Sequence, residues 1–163
     1  MKPSNIIVSN IVDEDITNYK KCAMFIGTVK CSFKCCTELG LPISTCQNNK
    51  LISCHHDIKI EKIVDRYIAN NLTEAIVIAG MEPLDQFDEV LSLIEAFRFK
   101  TEDDIIIYTG YNENEIKDKI DIISQFKNII VKFGRFIPNQ KSRYDDVLGV
   151  SLISDNQYAK RIS

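Results

Sequence analysis

Four cysteines stand within the sixteen positions of "CSFKCCTELGLPISTC": Cys31, Cys35, Cys36 and Cys46. Thiolate sulfur is a soft ligand that selects zinc, copper(I) or iron–sulfur clusters. In a reducing compartment, six cysteines are ligands or reactive groups before they are disulfides. Residue types alone leave three arrangements open. In the first, Cys31 and Cys35 pair on a tetrahedral zinc that Cys46 or the run Cys54-His55-His56 completes. In the second, the cysteines are small buried hydrophobes in a solvated loop, and Cys22, inside a predicted strand, only packs. In the third, three cysteines hold a [4Fe–4S] cluster and leave one iron open to a substrate or cofactor.

Any of these needs a scaffold. The chain has 163 residues, 45% hydrophobic and 26% charged, which suits a single globular domain over residues 1–163. A net charge of -3 and a pI near 5.4 give no electrostatic basis for nucleic-acid binding. No apolar run approaches the roughly 20 residues of a membrane span. The start, "MKPSNIIVSN", lacks the apolar core of a secretory leader, so the expected location is the cytoplasm.

The elements follow from periodicity. Residues 5–12 and 21–28 are β-prone, and the second runs straight into the cysteines. Residues 31–56 read as a long loop, a length usually reserved for function. Residues 58–70 place Ile60, Ile63, Val64, Tyr67 and Ile68 on one helical face. Apolar strands at 74–80, 104–110 and 128–134 then alternate with helices over 84–100 and 113–126. A last strand is expected at 146–152 and a terminal helix at 156–162. Strands that are apolar throughout are buried on both faces, so the expected class is α/β with a mainly parallel sheet of βα units. Such sheets bind ligands at the C-terminal ends of their strands. The cysteine loop and the turns "AGMEP", "YTGYNE" and "FGRFIP" should converge there.

The same turns carry a resemblance. "CSFKCC…CQN" (31–48), "AGMEPL" (79–84), "IYTGY" (107–111), "KFGRFI" (132–137) and "GVSLISDNQYAKRI" (149–162) occur in one order along nearly the whole chain. This order is similar to that of radical S-adenosylmethionine (SAM) enzymes, above all the small activating enzymes of anaerobic ribonucleotide reductase. Those typically show a CxxxCxxC loop, a GG[DE]P turn, a "YTGY" turn, a "DGxF" turn and a terminal "GSSNQR" segment. Position 38, where their third cysteine would stand, is Glu38; the next cysteine with the C-x-N tail is Cys46, eight residues later. The second departure is Ala79-Gly80-Met81-Glu82-Pro83 in place of the double-glycine turn.

The resemblance implies an incomplete TIM-barrel-like fold and a [4Fe–4S] cluster on Cys31, Cys35 and Cys46. Cys36 is an alternative to Cys35, and Glu38 an unusual oxygen ligand. It implies that Gly80 and Glu82 receive the SAM amino group, that Gly110 permits a tight approach while Tyr108 or Tyr111 lines the cofactor pocket, and that Asn156-Gln157 lies near SAM or the partner. The activity implied is an anaerobic oxidoreductase that cleaves SAM reductively and places a glycyl radical on a large partner enzyme. An electron donor such as flavodoxin would serve it, and no residue acts as general base. The alternatives are a cluster protein of the same fold without SAM chemistry, acting in electron transfer or sensing, and a zinc-stabilised binding module.

Overall fold

A computed structural model describes all 163 residues. The chain enters with β1 (Asn5–Asp15) and β2 (Ala23–Thr28), passes the cysteine loop with its single short helix α1 (Lys34–Thr37), and resumes at β3 (His56–Lys59). It then alternates: α2 (Ile60–Ile68), β4 (Ala75–Gly80), α3 (Phe87–Arg98), β5 (Asp104–Tyr108), α4 (Lys117–Ile123) and β6 (Ile129–Phe133). Three short strands close it: β7 (Arg143–Asp145), β8 (Val150–Leu152) and β9 (Tyr158–Arg161). Seven strands form one mixed sheet in the order β3-β1-β2-β4-β5-β6-β9, and β7 pairs with β8 apart from it. The pairs β2–β4, β4–β5 and β5–β6 are parallel, whereas β1, β3 and β9 join antiparallel. No helix is long and apolar enough to cross a membrane.

The central strands are runs of isoleucine and valine, whose branched β-carbons suit a pleated surface covered on both sides. Ile76, Ile78, Ile105, Ile107, Ile129 and Val131 point to one face. There they meet the buried stripes of α2 (Ile63, Val64, Tyr67), α3 (Val90, Leu93, Ile94, Phe97) and α4 (Ile120, Ile123). All three helices therefore share a face, as follows when successive right-handed crossovers step the same way along the sheet. The opposite face carries Ala23, Ala75, Val77, Ala79, Ile106 and Ile130 under Tyr19, Leu148 and Leu152. Its side chains are smaller and it has no helix, which leaves space beyond its C-terminal edge.

Three elements differ from the pattern-based reading. The segment 156–162 is not a helix: Tyr158–Arg161 is an edge strand, since β6 offers it an antiparallel partner from Ile130 to Phe133. The helix expected from residue 58 starts at Ile60, because His56–Lys59 pairs with β1. The helix expected from 113 opens as a 3-10 turn, Glu113–Glu115, under a capping box of Asn112 and Glu115, before α4 begins.

Phe97 is fully buried and meets the Tyr67 ring edge-on, centroids 5.4 Å apart. Phe97→Ala is expected to lower folding stability by about 3–5 kcal/mol, read as a reduced urea midpoint with unchanged slope.

Candidate metal centre

The ends of β2, β4, β5 and β6 open on a cavity of about 460 Å³, and Cys31, Cys35, Cys36 and Cys46 all line it. Cys31 lies three residues past the end of β2. Its sulfur accepts the Phe33 N–H at 3.2 Å, and burial pushes its thiol up to about 12. Phe33 adopts a left-handed conformation (φ 56°), which reverses the chain into α1 and brings Cys35 back beside Cys31. Burial also raises Cys35, whose sulfur faces the Phe136 N–H and the charges of Glu82, Arg135 and Lys132. Gly110 packs on that sulfur so closely that a β-carbon there would lie 2.7 Å from it. Cys36 is buried, its thiol pushed up by burial, and the Cys46 backbone and thiol lie beside it. Thiols held protonated by burial must each release a proton to bind metal.

No three His, Cys, Asp or Glu side chains converge on a point where one ion would sit. A thiolate-bound zinc needs sulfurs 2.3 Å from one centre, which sets them only about 3.8 Å apart. The four loop cysteines nevertheless share one cavity. Cys54, His55 and His56 are exposed and line no part of the cavity. Cys22 precedes β2, at the opposite end of the strand from the cysteine loop. A shallower groove of about 600 Å³ reaches Cys31 from outside, but it brings no second sulfur.

The turns supply the other walls. Gly80 (φ 95°) ends β4 where a β-carbon would stand 2.9 Å from Gly27 Cα and Thr28 N, so only glycine fits against β2. Its carbonyl accepts Asn48 Nδ2 at 2.7 Å, which ties the chain after Cys46 to the sheet edge. The buried Glu82 carboxylate accepts from Leu84 N–H (3.0 Å), Thr109 Oγ1 (2.8 Å) and Gly110 N–H (2.8 Å). Burial nevertheless raises its pKa to about 7. Tyr108 donates to the Asn18 carbonyl and lines the cavity.

Asn156 is exposed and donates to the Arg135 carbonyl; the neighbouring Gln157, buried, is the one that lines the cavity. Glu38 turns to Arg135, whose Nη2 donates to it at 2.9 Å. Arg135 Nε also lies 2.7 Å from Glu38, with its N–H off that line. The same guanidinium grips Glu115 at 2.7 Å through both terminal nitrogens and holds that carboxyl down at about 2. Lys132, a lysine inside the apolar run "NIIVKFG", lines the cavity beside Cys35. Charge in the middle of such a run was the signal for it.

A match to the family described as a 4Fe-4S single cluster domain spans residues 20–157, most of the chain and all four loop cysteines. The chain belongs to that family. This iron–sulfur protein has no significant match among curated proteins or among solved structures. Family and donor set agree, because thiols are the usual holders of such clusters.

Two outcomes follow. The folded chain keeps the Glu82 proton up to about pH 7, whereas the unfolded chain releases it near 4.5. Between those values the folded state binds more protons, so stability falls as pH rises. The metal-free protein should lose about 3 kcal/mol across that window, and Glu82→Gln should flatten the slope in urea titrations at several pH values. Arg135→Met frees two carboxylates and should loosen residues 31–39 by about 2 kcal/mol, read as faster amide exchange there.

Proposed function

We propose that this iron–sulfur protein is a radical-SAM activase-like enzyme. In this reading Cys31, Cys35 and Cys46 hold a [4Fe–4S] cluster with one iron open. The observation that carries it is the cavity. Its 460 Å³ lies within the range of small-molecule sites, and its walls run well past the sulfurs to Phe25, Tyr108 and Val150–Ile153. Gly80, Glu82 and Gly110 lie on the same walls, where Gly80 and Glu82 would receive the SAM amino group. The sequential order β2-β4-β5-β6 with all helices on one face supports treating the sheet as the wall of an incomplete barrel. When bound, the cluster would supply the electron for reductive cleavage of SAM. The chain's own residues position the two cofactors and exclude water. In this reading the radical passes to a large protein substrate, a glycyl radical enzyme.

Cys36 favours a second reading. A fourth thiol on the same cavity would close the cluster, leaving an electron-transfer or sensing protein. The test is reconstitution without oxygen. Iron and sulfide should reach about four each per chain, SAM should change the EPR spectrum of the reduced protein, and dithionite should then release 5′-deoxyadenosine. Cys46→Ala should lose the cluster. A spectrum blind to SAM in the parent but responsive in Cys36→Ala would establish the closed cluster instead. Bound zinc without iron would exclude both.

A further inference from the structure

The most unusual charge in the molecule is Lys132. β6 alternates: Ile129, Val131 and Phe133 face the helices, while Ile130 and Lys132 face the other way. Lys132 is 6% exposed, and its stem runs along the cavity wall with Nζ 5.9 Å from the Tyr108 ring centre. An ammonium has three N–H donors. Here the one protein acceptor is the Gly134 carbonyl at 3.0 Å, and that oxygen also accepts Gln157 Nε2 at 3.3 Å.

Moving an ammonium out of water costs several kcal/mol unless an anion faces it. The protein provides no such anion at contact. Lys132 makes no salt bridge within 4.0 Å; the Glu82 charge acts on it only from beyond contact. The remaining charge that Lys132 senses is Cys35. The one protein acceptor of Lys132 leaves the other N–H donors facing the cavity that the loop cysteines line.

We propose that the Lys132 ammonium is the resident counter-charge of the iron–sulfur cluster, a fixed cation in the cavity wall that makes the cluster easier to reduce. A thiolate-bound cluster is anionic and becomes more so with each electron. Cluster potentials respond to net charge and burial, and the attraction is strong where water is absent. The inference rests on the cluster-binding reading and not on SAM.

The experiment is a potentiometric titration of the reconstituted protein, followed by EPR without SAM, in the parent and in K132M, K132Q and K132R. The neutral variants should keep their iron and sulfide. At a fixed applied potential near the parent midpoint their reduced-to-oxidised ratio should fall at least tenfold, a midpoint lower by about 59 mV for a one-electron couple. K132R should stay near the parent. An unchanged midpoint in K132M and K132Q overturns the inference. If the neutral variants fold but shed iron while K132R keeps it, the charge role stands; equal loss in all three shows a packing role and overturns it. A parent that binds no iron refutes the cluster reading itself.

Discussion

The cavity depends on one buried carboxylate. Glu82 leaves β4, turns inward and accepts hydrogen bonds from its own turn and from the turn after β5. Parallel strands do not share a hairpin, so nothing in their ladder fixes how their following turns sit against each other. Glu82 does that for β4 and β5. With its carboxylate in place, Gly110 is held against Cys35, and the walls of the cavity are set. The cost of burying this acid appears in its raised pKa, and three donors offset part of it.

A second set of ties reaches from the sheet edge into the cysteine loop. Between Cys31 and Lys59, Cys36 is the one buried residue, so this stretch has no core of its own. Its short helix and 3-10 turns would not persist alone, since nucleating a turn is unfavourable. The sheet supplies the order instead. Asp85 accepts the Ser32 N–H at 2.7 Å, Arg135 pairs with Glu38, and Asn48 bonds to the Gly80 carbonyl. The three ties fall before Cys35, just after Cys36 and just after Cys46.

Much of this was legible in the sequence. The isoleucine-rich strands and the helical stripes of Ile63, Val64 and Tyr67, or Val90, Leu93 and Ile94, announce themselves because burial selects apolar residues at fixed spacing. The meeting of the cysteines with Gly80, Glu82, Tyr108 and Gly110 followed from the rule that parallel sheets present one edge to ligands. β9 did not show, because four residues cannot separate a strand from a helical turn and its pairing with β6 is a long-range choice. Asn156 and Gln157 are adjacent, and only the local backbone decides which one turns inward. Arg135 and Glu38 are 97 residues apart, so their pairing has no local signature.

Cys36 is where local stability and metal binding pull apart. In the metal-free chain it packs as a small hydrophobe, the one side chain anchoring its loop from within. As a ligand it would become a thiolate and give up that role. Cys31, Cys35 and Cys46 are only half-buried, so their deprotonation removes no such anchor. Burial holds the Cys31 proton as well, so packing is what sets Cys36 apart. That packing anchors the middle of the loop. It also explains how a loop eight residues longer than the CxxxCxxC spacing keeps its register: entropy of closure grows slowly with length, and a buried sulfur midway shortens the free segment on either side.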